Sequence, residues 1–275
     1  MGSSFDLHRQ RRGLFSTDVA AYETGRPGYP ERVYDLMDQV CGLGPGTEVL
    51  EIGPGTGQAT GRLLDRGASV TAIELGPDLA AYLEAKYAGR NLSVQVGAFE
   101  DVTLEPASWD LIVAATSFHW VEPDVGLRRC AELLRPGGWV ALWWTYFGDP
   151  DRPDPFRDAL TPIFEELAPS LIDMFPGAAF EAGAHPYALD ATARIAEIEA
   201  AGRFGPVQHE TVTWTGRHTP PELRAMFASF SPCLALPPSE RSEVLDAIEQ
   251  LATETFHGLV ERPYLTLIYL APRRS

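Results

Sequence analysis

The chain has 275 residues, enough for one α/β domain with an insertion, and 45% of them are hydrophobic, enough for a core. No apolar stretch reaches membrane-spanning length, Met1 to Arg12 shows no apolar secretory core, and Cys41, Cys130 and Cys233 lie far apart without metal-ligand spacing. Together with a net charge of −16 from 22 basic and 38 acidic residues, this reads as a cytoplasmic protein without a nucleic-acid or membrane partner and without a metal.

In chain order, Phe15 to Pro30 carries Tyr22, Arg26 and Tyr29 among Pro27 and Pro30, ahead of a helix expected over Glu31 to Val40. The Arg26 guanidinium either meets an anionic ligand group or pairs with a structural acid. Val49 to Ile52 reads as a buried strand. It breaks into Gly53-Pro54-Gly55-Thr56-Gly57, and Gln58 to Leu64 opens a helix. Glycines there allow a tight turn and leave no side chain between backbone and ligand, while the helix start offers N–H groups. No Gly-Lys-Ser/Thr follows, so the loop is not a phosphate cradle. The spacing is G-x-G-x-G, not the dinucleotide G-x-G-x-x-G. Glu51, just before the loop, repels a pyrophosphate and suits a cationic amino-acid portion. Val70 to Ile73 is the second strand, and Glu74 at its end suits ribose hydroxyls; Leu75 follows.

Leu92 to Gly97 reads as the third strand, running into Ala98-Phe99-Glu100-Asp101. Trp109 to Ala115 is the fourth, entering Thr116-Ser117-Phe118-His119-Trp120-Val121. Leu133 to Leu142 contains Pro136-Gly137-Gly138, which stops a helix and turns the chain into the fifth strand. Over residues 30–147 this set resembles the class I S-adenosylmethionine-dependent methyltransferases. The Tyr…Arg-Pro-x-Tyr-Pro stretch resembles the branch that includes trans-aconitate methyltransferase-like proteins. The resemblance implies an α/β fold: a Rossmann-like, doubly wound seven-stranded sheet, mostly parallel with an antiparallel last strand. It implies S-adenosyl-L-methionine as cofactor, bound by Glu51, Gly53, Pro54, Gly55, Thr56, Gly57, Gln58, Glu74 and Leu75. Thr116, Ser117 and Phe118 would complete the site from the fourth strand. By the same resemblance the Phe99 backbone N–H meets the adenine and its ring packs on it. Ala98 stands where many relatives carry an acid, with Glu100 as a substitute. Tyr22 would cap the site and Arg26 would meet the cofactor carboxylate.

Beyond the fifth strand the chain becomes individual. Gly148 to Pro155 is turn-rich; Phe156 to Leu167 and Ala191 to Ala201 read as helices, with Pro169 to Phe175 between. Connections of this length are usually functional, so residues 148–203 read as a helical lid, in which Glu165, Glu166, His185 and Tyr187 are within the chain's reach of substrate. The segments are then 1–30 covering the cofactor, 31–147 as the binding core, 148–203 as lid and 204–275 completing the sheet. Val207 to Thr215 alternates as a strand. Thr219-Pro220-Pro221-Glu222 is a capping box for a short helix over Leu223 to Phe230. Glu240 to Phe256 carries a helical apolar stripe, and Tyr264 to Leu270 is the last strand. His209, His218 and His257 read as surface residues.

Methyl transfer from a sulfonium needs an aligned nucleophile in a water-free site, and an alcohol or phenol needs a base. His119 is the catalytic candidate, at the carboxyl edge of the sheet where such folds bind ligands; its alternative is a structural or cofactor-orienting role. Tyr29, Trp120, Trp144, Tyr146 and Phe147 are the substrate candidates. The expected reaction is methylation of a small organic molecule, first at oxygen. Methylation of a protein or nucleic acid, or cofactor binding without catalysis, stays open.

Overall fold

Parallel strands must be covered on both faces, and the short apolar runs of this chain meet that demand. The computed structural model describes residues 19–172 and 189–274. It opens with α1 (Val19–Gly25) and α2 (Glu31–Cys41), followed by β1 (Glu48–Ile52), α3 (Thr60–Asp65), β2 (Ser69–Glu74), α4 (Pro77–Lys86) and β3 (Leu92–Val96). Next come β4 (Trp109–Ala115), α5 (Pro123–Leu133), β5 (Leu134–Tyr146), α6 (Pro155–Leu167) and α7 (Ala191–Ala200). The last elements are β6 (Gln208–His218), α8 (Pro220–Ala228), α9 (Ser231–Leu234), α10 (Pro238–Glu254) and β7 (Val260–Pro272). The sheet order is β3-β2-β1-β4-β5-β7-β6. β1 to β5 pair in parallel, and β7 runs antiparallel to β5 and β6, the topology expected from the sequence. The order reverses beside β1, whose neighbours are β2 and β4, so a crevice opens at the carboxyl ends of β1 and β4.

Local chemistry sets the element ends. Proline occupies the first turn of α4, α5, α6, α8 and α10, where its missing N–H costs nothing. Glu122 and Asp154 accept the N–H groups of Val125 (2.8 Å) and Arg157 (3.0 Å), capping α5 and α6. The expected capping box on α8 is present, with the Thr219 N–H donating to Glu222 at 2.7 Å. The Pro136-Gly137-Gly138 turn lies inside β5. Leu134 pairs with Trp109 as soon as α5 stops, and after a register shift Trp139 pairs with Leu111.

Strand alternation sends Trp143 and Trp144 to opposite faces. Trp143 meets Tyr29 edge-on at 5.5 Å, and Trp144 meets Tyr269 at 5.9 Å. Phe156 and Phe164 of α6 pack with Phe227 of α8 and Ile248 of α10 in a separate apolar cluster. α1 docks on α8, and a Cβ at Gly25 would stand 2.3 Å from the backbone of Ala225 and Met226, so only glycine permits this approach. α6 is tied to β7 by a buried ion pair, Arg262 to Asp154 at 2.8 Å, and Arg262 also donates to the Phe147 carbonyl at 3.1 Å.

His209 and His257 are exposed as expected, but His218 is not. It is buried with Nε2 2.8 Å from the Tyr264 hydroxyl, because alternation along the edge strand β6 turns it, like Gly216, to the covered face. Burial and then the Arg262 charge push its pKa down to about 4. The unfolded chain takes up this proton near pH 6.5 and the folded one only near 4. The contribution is therefore intact above pH 6.5 and is lost as pH falls toward 4, to a total of about 3 kcal/mol. Urea unfolding at pH 5 should show wild type losing about 2 kcal/mol relative to pH 7, with a His218→Gln variant largely spared. Equal losses in both would refute this.

Candidate active site

The crevice holds a cavity of about 280 Å³. Its floor is the glycine loop. Gly53 and Gly55 adopt φ of +65° and +60°, the left-handed region that glycine enters without cost. A Cβ at Gly53 would be 2.8 Å from the Ser117 Cβ, and one at Gly55 would be 3.1 Å from the Tyr22 ring. The loop is thus sandwiched between β4's exit and α1. Gly57 serves differently: a Cβ there would strike Leu83 at 2.6 Å, so this glycine seats the loop on α4. Lys86 pins α1 to the loop by donating to Glu23 (2.6 Å) and to the Thr56 carbonyl (3.0 Å).

Two acids flank the loop. Glu74 is buried at the cavity wall and accepts the N–H groups of Gly55 (3.0 Å) and Gly76 (2.9 Å). Burial raises its pKa, and those backbone bonds oppose the rise. Glu51 is fully buried behind the loop; one oxygen accepts the Thr60 hydroxyl at 2.6 Å, and the other, Oε1, has no hydrogen-bond partner among the described residues. Burial pushes its pKa up to about 7.

At the exit of β4, Thr116 sits at φ +55°, rare for a β-branched residue. Three bonds hold it: its N–H donates to the Trp143 carbonyl (2.7 Å), and its hydroxyl oxygen accepts from the Tyr29 hydroxyl (3.2 Å) and the Thr145 N–H (3.4 Å). Ser117 donates to the Ile52 carbonyl, locking β4's exit to β1. His119 lines the cavity, and its Nδ1 accepts the Trp144 indole N–H at 3.2 Å.

The upper wall comes from both ends of the chain. Arg26 donates to the Ser229 carbonyl at 3.0 Å, and its guanidinium lies 4.6 Å from the Phe230 ring and 5.3 Å from that of Tyr22. Among the described residues its buried Nε has no hydrogen-bond partner and no carboxylate pairs with it. The structural-acid alternative for Arg26 is therefore not realised there.

Of the predicted residues, Tyr22, Arg26, Tyr29, Gly53, Pro54, Gly55, Gln58, Glu74, Leu75, Ala98, Phe99, Glu100, Thr116, Ser117, His119, Trp120 and Phe147 line this cavity. Six do not. Glu51, Thr56 and Gly57 lie behind the loop surface. The Phe118 ring turns into the core against Gly126. Trp144 is buried on the sheet face beside Tyr269 and, among the described residues, meets the site through His119. Tyr146 packs over Gly148, its phenol pushed up to about 12 by burial. None of the described residues between 148 and 203 lines the cavity; His185 and Tyr187 lie outside the described residues. Phe230, Ser231 and Pro232, which no sequence signal marked, line the cavity as well.

Residues 50–142 match the family described as Methyltransferase domain. An uncharacterized methyltransferase of Mycobacterium tuberculosis is 30% identical over 258 residues, covering 92% of this chain and 93% of that protein. The chain belongs to the class I S-adenosylmethionine-dependent methyltransferases. The methyltransferase is also 36% identical, over 101 residues, to a ubiquinone biosynthesis O-methyltransferase of Xanthomonas euvesicatoria, covering 35% of this chain and 42% of that one. Its fold is that of phosphoethanolamine N-methyltransferase 2 of Haemonchus contortus, solved with phosphomonomethylethanolamine and S-adenosylhomocysteine. The TM-score is 0.58 at 14% identity; all of this chain is covered, and it spans 61% of that structure. The site of this methyltransferase fits its cofactor. The amino-acid portion of S-adenosylmethionine carries a carboxylate, the complement that the Arg26 Nε in the cavity wall lacks among the described residues, and its ribose hydroxyls suit Glu74, which lines the same cavity.

Proposed function

We propose that this methyltransferase acts on a small organic molecule in the cytoplasm and methylates it at oxygen, on a carboxylate or hydroxyl. The carrying observation is the cavity itself: Trp120, Phe147 and Phe230 give it an aromatic wall, and α1, locked to α8 at Gly25, covers it. A covered, apolar site suits a small acceptor rather than a polymer. The surface charge of −16 speaks against nucleic acid. The cofactor would be held by Glu74 at its ribose, by the Gly53–Gly55 backbone, by Leu75 and Phe99 around its base, and under Tyr22. When bound, S-adenosylmethionine supplies a methyl group on a sulfonium, released to the acceptor's lone pair as the C–S electron pair returns to sulfur. The protein's part is to hold the acceptor in line and exclude water, a part this reading gives to Tyr22, Trp120 and Phe147, which line the cavity.

The test is S-adenosylhomocysteine release by the purified protein with a panel of small carboxylic acids, phenols and alcohols, beside a protein extract and total tRNA. Turnover with a member of the small-molecule set is expected. Turnover only with the polymers would overturn the reading. Cofactor binding without turnover on any acceptor would point to an interaction protein.

A further inference from the structure

Resting on the small-molecule reading above, we propose that Trp144 fixes His119 as a hydrogen-bond donor toward the cavity, so that the acceptor arrives as its own anion, a carboxylate. An indole N–H can only donate. Its 3.2 Å bond to His119 Nδ1 therefore requires that Nδ1 be bare. A neutral imidazole with a bare Nδ1 carries its proton on Nε2. The one lone pair of the ring is then the one Trp144 occupies. Taking a further proton would place it on Nδ1, facing the indole N–H, so the ring is ill suited to collect a proton from an acceptor. Trp144 has little room to yield: it is 3% exposed, paired with Leu267 across β5 and β7, and packed edge-on against Tyr269. His119 itself stands in the cavity wall, two residues after Ser117 at the exit of β4.

The other titratable groups of the wall do not replace it as a base. Burial raises the phenols of Tyr22 and Tyr29, which stay protonated. Arg26 is a cation. Glu74 spends its oxygens on Gly55 and Gly76, and Glu100 stands on the turn after β3 beside Phe99. Among the described residues of the wall, where Glu74 and Glu100 are both engaged, an alcohol or phenol would find no unengaged base to take its proton, whereas a carboxylic acid is ionised unaided at neutral pH. With a carboxylate acceptor no proton needs to be moved. One oxygen lone pair forms the bond to the methyl carbon, the C–S bond breaks toward sulfur, and a methyl ester and S-adenosylhomocysteine result. The His119 N–H and the Arg26 charge are the complements for the second oxygen and the net charge of such an acceptor.

The test is ¹⁵N NMR of the histidine rings in the full chain with S-adenosylhomocysteine, His119 being assigned by its loss in His119→Gln. Wild type should show a bare Nδ1 and an Nε2–H from pH 8 to 6, and Trp144→Phe should bring in the other tautomer and a titration near the ordinary histidine value. A wild-type His119 that carries its proton on Nδ1, or titrates near pH 6.5, overturns the proposal. Should Trp144→Phe not fold, activity decides. Gln at 119 places an amide N–H near the Nε2 position, so His119→Gln should keep turnover within about 10-fold and His119→Ala should lose about 10²-fold. Equal losses would mark a base and overturn it. On matched acids and phenols, acids should react at least about 10²-fold faster; a phenol reacting faster overturns the proposal while leaving the methyltransferase reading intact. Failure to bind S-adenosylhomocysteine at all would instead defeat that underlying reading.

Discussion

Replacing Glu74 with Ala is expected to weaken binding of S-adenosylmethionine and S-adenosylhomocysteine by about 10²-fold or more, as two charge-assisted hydrogen bonds of about 1.5 kcal/mol or above are removed. Glu74 does two things at once. It is the acid at the end of β2 that faces the cavity, and it accepts the Gly55 and Gly76 N–H groups that shape the wall on either side. Alanine would leave both N–H groups without their partner and the ribose hydroxyls without an acceptor. Glu74→Gln should fall between wild type and Ala, since its amide keeps one oxygen but turns an N–H group toward a backbone donor. Calorimetric titration of the three proteins reads this directly. An unchanged dissociation constant in Glu74→Ala would remove the residue from the cofactor site.

The second large effect concerns stability. Asp154→Ala should cost about 3–5 kcal/mol, because it strands a buried guanidinium. Arg262 is 4% exposed and Asp154 is fully buried, so water cannot take the carboxylate's place. The same Asp154 caps α6 through the Arg157 N–H, and the same Arg262 braces the Phe147 carbonyl at the cavity edge. The loss should therefore appear both as a lower urea midpoint and as weaker acceptor binding. Replacing both partners together, Asp154→Leu with Arg262→Met, should recover much of the stability, since the desolvation cost of the pair disappears with it. A single Asp154→Ala variant within about 1 kcal/mol of wild type would show that the pair is not what fastens α6.

Much of this was legible in the chain because its physics is local. Val49 to Ile52 and Val70 to Ile73 announce buried strands by composition, and Gly53, Gly55, Glu51 and Glu74 stand within a few residues of the strand ends that position them. The capping box at Thr219 is likewise a matter of four adjacent residues. What stayed hidden depends on contacts across the chain. Arg26 reaches the Ser229 carbonyl 203 residues away, so Phe230 and Pro232 enter the cavity with no motif to mark them. Arg262 and Asp154 are 108 residues apart. The alternation of β5 correctly separated Trp143 from Trp144, yet periodicity cannot tell which of two buried indoles will find a histidine, and Trp144 therefore looked like a substrate wall. His218 misled for a related reason: a lone histidine at a strand end gives no sign that Tyr264 and Arg262 will close over it.

The place of β7 between β5 and β6 has a consequence for biosynthesis. Residues 260–272 leave the ribosome after the other six strands of this sheet, yet they fill an interior position of it, and ten consecutive residues, Arg262 to Ala271, are buried there. Until they emerge, β5 is an open edge carrying both indoles, and β6 lacks the strand it pairs with. The nascent chain therefore carries an adhesive strand edge from the emergence of β5 until that of β7. Closure of the sheet is a late, long-range step of the kind that slows folding, so a ribosome stalled before residue 260 would display a chain prone to pairing with its neighbours on a polysome.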